Sequence, residues 1–206
     1  MGLFTGRKQK ATPPPETMVA GNRTYSLGPS PQSITAREAF AAVTPYIEAT
    51  GVNRRLFLVL SGANLNDGGR ADEWSFHYIF PNDQCETVYT VAVGSSSPIE
   101  GCAALIEDVT PWPPPGSTQE AMLQFQGPAA RLIVEQQWTD RIERLPGLPE
   151  HFVDSTVAMQ LMREKGTDLQ LDGNSVKLKG RTPPGGYPVW EMMTGFEVLR
   201  TPFTQH

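Results

Sequence analysis

His151, Asp154 and Ser155 are the residue types of a hydrolytic triad, an imidazole base, a carboxylate to orient it and a hydroxyl nucleophile. They fall within five positions at what reads as the start of a helix, where Asp and Ser are wanted as caps. Capping is therefore their expected role, and a small hydrolase or peptidase regulator using them is the alternative. The remaining histidines, His77 and His206, lie at no metal-ligand spacing from His151 or from each other, so neither a metal nor another cofactor is expected. Asp72-Glu73 and Glu107-Asp108 are acidic pairs of a kind that can share a proton, although carboxylates at strand edges and in loops are normally solvated. The glycine-rich turns at Gly68-Gly69 and Gly185-Gly186 lack the lysine and the following helix that phosphate binding requires. No catalytic residue is assigned.

Two further groups of residues point to contact rather than chemistry. Leu3 and Phe4 stand just ahead of Arg7, Lys8 and Lys10, a composition suited to inserting into a partner while the cations steer the approach. The same segment opens like a myristoylation signal, but Gly6 stands where that signal needs Ser or Thr. Trp112 is set among Pro111, Pro113, Pro114 and Pro115; a Trp so flanked either packs back on the body or meets another chain. Partner-binding residues are accordingly expected at Leu3, Phe4, Arg7, Lys8, Lys10 and Trp112.

The elements that would position these residues follow from periodicity. Thr35 and Glu38 have the spacing of a capping box, Phe40, Val43 and Ile47 share one helical face, and Gly51 suits a C-terminal cap. Leu56 to Leu60 reads as a short buried strand, followed by the turn residues Asn66-Asp67-Gly68-Gly69. Trp74, Phe76, Tyr78 and Phe80 then alternate with Glu73, Ser75, His77 and Ile79, which predicts a strand with one aromatic face toward the helix. After a turn at Pro81-Asn82-Asp83, Thr87, Tyr89, Val91 and Val93 share the face of a second strand, and Ala103 to Val109 adds a third.

Proline marks the boundaries. Residues 1–32 carry Pro13, Pro14, Pro15, Pro29 and Pro31 with few large apolar residues and read as a tail; 33–109 reads as a first α+β unit and 110–128 as a Pro-rich linker. Residues 129–206 read as a second unit with a preceding helix over Ala129 to Leu145, striped by Val134, Trp138, Ile142 and Leu145. There Asp154 or Ser155 caps a helix bearing Val157, Ala158, Leu161 and Met162, Val176 to Lys179 reads as a strand, and Val189 to Phe196 as another led by Trp190. Two helices, each followed at nearly equal distance by a Trp-led strand, suggest an internal repeat.

Both units resemble PepSY-type domains, the small α+β modules of peptidase propeptides and of many bacterial proteins of unknown role. The likeness is carried by Ala71-Asp72-Glu73-Trp74-Ser75-Phe76-His77-Tyr78 with Val88-Tyr89-Thr90-Val91, and by Val153-Asp154-Ser155, Ala158, Gly166 and Tyr187-Pro188-Val189-Trp190. The resemblance implies α+β fold, two helix-plus-antiparallel-meander units, and binding or inhibitory modules without catalytic residues.

Composition narrows the setting. The chain has 206 residues with a net charge of −5 and no long basic stripe, so nucleic acid is not an expected partner. No apolar run approaches the ~20 residues of a membrane span, and no secretory signal is visible, so the expected location is cytoplasmic. In that compartment Cys85 and Cys102 are expected as free thiols. The function these features suggest is a non-catalytic protein-binding or assembly module whose tail docks to a partner protein. A membrane-surface adaptor acting through the N-terminal segment is a further alternative.

Overall fold

In the computed structural model, the described residues are 17–19, 22–49, 54–80, 85–109, 146–165, 176–194 and 197–204. Helix α1 (Ala36–Ala49) starts at the expected capping box: the Glu38 N–H donates to Thr35 Oγ1 over 3.2 Å and the Thr35 N–H to Glu38 Oε2 over 2.9 Å. Ala39, Val43 and Ile47 form its buried stripe. Strands β3 (Arg55–Ser61), β4 (Glu73–Phe80), β5 (Cys85–Ala92) and β6 (Cys102–Val109) follow as an antiparallel meander. Period-two alternation is obeyed: Trp74, Phe76 and Tyr78 are buried against the helix side, as are Thr87, Tyr89 and Val91 beside them.

Two strands precede α1, β1 (Thr17–Val19) and β2 (Asn22–Gly28), and β2 pairs with β6 in register Thr24 to Leu105 and Tyr25 to Ala104. The later part of the chain supplies α2 (Ser155–Glu164), β7 (Leu178–Arg181), β8 (Val189–Thr194) and β9 (Glu197–Pro202). The strand order is β1-β2-β6-β5-β4-β3-β7-β8-β9, with antiparallel pairing throughout.

This arrangement corrects the expected fold class. The protein is not two helix-plus-meander units with a Pro-rich tail; it is one nine-stranded sheet, with described helices of only 14 and 10 residues. The physical reason is the free edge each meander would leave. An unpaired row of N–H and C=O groups on β3 is satisfied by β7, which places Val59 opposite Gly180 and Leu60 opposite Lys179. At the other end β2, drawn from the stretch read as tail, covers the edge of β6. The expected linker over 110–128 and helix over Ala129 to Leu145 lie outside the described residues.

A single core joins the early and late strands. Trp74 and Trp190 meet edge to face at 6.2 Å between ring centroids, and Phe152 packs on Trp190, Phe203 and Phe40. Each Trp is fully buried, and each finds a partner for its indole N–H in the chain just ahead of a helix: Trp74 Nε1 donates to the Ile34 carbonyl (2.9 Å) and Trp190 Nε1 to the Val153 carbonyl (2.8 Å). Gly180 leaves the space that the Phe203 ring occupies, since a Cβ there would run into it. Among the described residues no helix is long and apolar enough to cross a membrane.

Replacing Trp190 with Phe keeps a ring but takes the indole donor from the buried Val153 carbonyl, at a cost of about 1–3 kcal/mol, whereas after Trp74→Phe the Ile34 carbonyl still accepts the Ala71 N–H at 2.9 Å, so that change should cost less. Urea denaturation should show W190F lowering the midpoint more than W74F, both with unchanged slope. Midpoints equal to wild type in both would mean that the two indole bonds carry no stability.

Candidate functional site

The residues with chemical potential converge where the two helices begin. A helix start leaves four backbone N–H groups without intrahelical partners, and here two starts meet in the interior. Asp154 is the N-cap of α2, with Oδ1 accepting from the Ser155 N–H at 2.8 Å. The same Oδ1 accepts the Arg37 N–H of α1 at 3.1 Å. Ser155 Oγ accepts the Ala36 N–H at 3.0 Å and lies 3.3 Å from Asp154 Oδ1, to which it donates. With Thr35 taking the Glu38 N–H, the first donors of α1 are all occupied by side chains, two of which come from the start of the other helix. Gly69, held at φ +74°, completes the junction by passing against the backbone of Ser155 and Thr156, where any Cβ would collide.

This geometry decides the fate of the triad residues. Ser155 is fully buried with its hydroxyl engaged on both sides, so it cannot meet a substrate. Asp154 points its cap oxygen at backbone donors, whereas His151 is exposed. Asp154 and Ser155 act here as helix caps, and His151 takes no part in that bonding. A cavity of about 610 Å³ opens beside them, lined by Arg37, His151, Phe152, Asp154 and Val157 among others. Its Arg37 is tied by Nη1 to the Phe152 carbonyl at 3.1 Å, which braces the segment leading into α2.

The other sequence candidates are also absorbed locally. His77 Nδ1 lies 2.7 Å from Glu86 Oε1, across the strand pair, with Phe57 edge-on to its ring. Asp72 is buried and accepts from Asn64 Nδ2 (2.5 Å) and Ser96 Oγ (2.6 Å), so it anchors two loops. Its neighbour Glu73 has its pKa raised, by burial first and then by the Asp72 charge. Cys102 is a free, buried thiol whose pKa is raised by burial. Cys85 opens β5 and Cys102 opens β6, and the register opposes Glu86 to Val109 and Ala92 to Ala103. The two residues are thus at opposite ends of the strand pair, about 20 Å or more apart at ~3.3 Å per residue, far beyond disulfide reach. Among the described residues no group of three or more His, Cys, Asp or Glu side chains could hold a metal ion. Leu3, Phe4, Arg7, Lys8, Lys10 and Trp112, the expected partner-binding residues, lie outside the described residues.

One polar cluster was not anticipated. On the sheet face away from the helices, Glu191 accepts from Arg181 Nε (3.0 Å) and Nη2 (2.9 Å) and from Arg200 Nε (2.9 Å). Burial of Glu191 opposes its ionisation, but the hydrogen bonds and charges of Arg181 and Arg200 outweigh it and hold the pKa below the ordinary 4.5. The signal was present as opposite charges on what become neighbouring strands, but the pairing of Glu191 with Arg200 exists only once β9 is placed.

No family model, curated protein or solved structure matches the chain.

Asp154→Ala removes the acceptor for two helix starts together and should cost about 2 kcal/mol, whereas Asp154→Asn, which keeps an oxygen, should cost less. Thermal unfolding of the two variants compares them, and equal, negligible losses would refute a shared cap. For Glu191 the depressed pKa means that its ionised form stabilises the fold above pH 4.5 and that this contribution fades as the pH falls below that value. The stability gap between wild type and Glu191→Gln, read by urea denaturation, should therefore be larger at about pH 7 than at about pH 3.

Proposed function

We propose that the protein is a non-catalytic binding or assembly module that works by contact with a partner protein. The observation that carries this reading is the distribution of exposed apolar side chains. Tyr187, Met193 and Val198, which are 85%, 62% and 43% exposed, are the large hydrophobic residues left open among the described residues, and all three belong to the β8–β9 end of the sheet. Large apolar side chains gathered on one surface rather than scattered mark a place of contact. The segment bearing Leu3, Phe4, Arg7, Lys8 and Lys10 serves in this reading as a second attachment, docking through its apolar pair with its cations steering, and Trp112 adds an aromatic anchor. An intracellular, cytoplasmic setting belongs to the proposal and is supported by the free thiol of Cys102.

The tail component is tested with the full chain. Immobilised wild type and a Leu3→Ala/Phe4→Ala variant are exposed to extract from the source cells, and bound proteins are quantified by mass spectrometry. Deleting residues 1–32 would be a poor test, because it would remove β2 from the sheet. Recovery of the principal partner should fall about tenfold in the variant. Unchanged recovery would remove the tail from the binding mechanism.

A further inference from the structure

The outer face of β7, β8 and β9 combines apolar exposure with a guanidinium held ready to bind. The register fixes the layout: Val189 lies opposite Pro202, Glu191 opposite Arg200, and Met193 opposite Val198. Arg200 is therefore flanked along the strands by an apolar pair on each side. On the inner side of the cluster Lys179 pairs with Glu191 and Arg181 with Val189, so the described side chains of this face include Lys179, Arg181 and Arg200 against the acid Glu191. That local excess of positive charge stands out in a chain whose net charge is −5.

Arg200 is half exposed, and it spends only Nε on Glu191. Its Nη1 and Nη2 groups have no partner among the described residues, while the bond to Glu191 fixes the orientation of the planar head. A guanidinium oriented in this way loses little side-chain entropy on accepting a second carboxylate at its free edge. Beside it Tyr187, Pro188, Val189, Arg200 and Pro202 line a cavity of about 270 Å³, large enough for an apolar side chain.

We propose that this face is the docking site for a protein segment that places a carboxylate on the free edge of Arg200 and an adjoining apolar side chain in the Tyr187–Pro202 cavity. The proposal rests on the reading of the protein as a binding module and names the site and the chemistry of the partner. A second copy of the chain fits poorly. A twofold contact would set the patch against itself and bring its cations together. Addition of a strand at the β9 edge is also disfavoured, because the Lys165 ammonium takes the Arg200 carbonyl and Pro202 offers no N–H.

The test begins with the full chain and a displayed library of random peptides about a dozen residues long. Enriched peptides are synthesised and their affinities measured by fluorescence anisotropy. They should carry Asp or Glu next to apolar residues, and changing that acid to its amide should weaken binding about tenfold. Arg200→Gln should produce a similar loss while leaving Glu191 its bond to Arg181, and Tyr187→Ser, a change at an exposed residue that lines the cavity, should weaken binding without changing the thermal midpoint. Binding should also weaken from low to high salt. The Leu3→Ala/Phe4→Ala protein should bind the peptides as wild type does, so a failure of tail docking would be distinguished from a failure of this site. Lack of enrichment over the bare support, enrichment of peptides without acids, or wild-type affinity in the Arg200 and Tyr187 variants would overturn the proposal. So would concentration-dependent self-association that Met193→Ser abolishes, since it would assign the face to a second copy.

Discussion

Two helix starts meeting in the interior of a small protein pose a problem of unpaired donors, and the answer given by Asp154 and Ser155 organises the rest of the structure. Their oxygens take the Ala36, Arg37 and Ser155 N–H groups within a few ångströms, where water would otherwise be needed. An unsatisfied buried donor costs about 1–3 kcal/mol, and the Ala36 N–H, whose bond to Ser155 is buried, would bear that cost if the helices separated, whereas the Arg37 bond is exposed. The segment before each helix is held in turn from the sheet side: Ile34 by the Trp74 indole and by the Ala71 backbone, Val153 by the Trp190 indole and the Phe203 carbonyl. Cap, aromatic pair and central strand pair thus act together, and the early and late parts of the chain fold around one core.

That arrangement sorts the side chains by face. Aromatic and aliphatic groups of alternate positions line the helix side, while Ser75, His77, Glu86 and Thr90 make cross-strand polar contacts on the other. The cost of burying Glu191 is offset by two arginines, and the same pairing leaves one guanidinium oriented outward among exposed apolar residues. A structural need and a binding surface are combined there, because the ion pair that stabilises the strand trio also fixes the group available to a partner. At the helix junction the reverse holds. Donors that might serve a ligand are already consumed by the protein's own caps, which is why a prominent cavity beside two helix starts is less suited to capturing an anion than its position suggests.

Local patterns were legible wherever a single interaction of short range determined them. The Thr35–Glu38 capping box, the aromatic alternation from Trp74, the shared face of Thr87, Tyr89 and Val91, and Asp154 as a cap all follow from spacing alone. The strand Asn22–Gly28 was hidden because its alternation, with Tyr25 and Leu27 on the helix side, is short and lies among prolines that dominate the composition of the region. The strand Glu197–Pro202 escaped for a similar reason: half of its apolar residues face outward, so no hydrophobic run betrays it. The candidate residues Leu3, Phe4 and Trp112 were read from composition, and the exposed face of Tyr187, Met193 and Arg200 could not be, since its members come from β8, β9 and the segment leading into β8.

The sequence by itself determined the local vocabulary of this protein: where helices start, which strand faces are apolar, and that the Asp154-Ser155 pair supplies the cap of its own helix, whereas the bond of Ser155 to the other helix start did not follow from it. Only the tertiary structure decided that the strands form one sheet rather than two units, because strand edges are satisfied by pairing between β3 and β7, residues more than a hundred positions apart, and propensity carries no information about such a partner. It likewise decided which charges neutralise one another and which remain open. Hydrogen bonding and ion pairing depend on distances of a few ångströms, and those distances are set by strand register and helix packing rather than by neighbourhood along the chain.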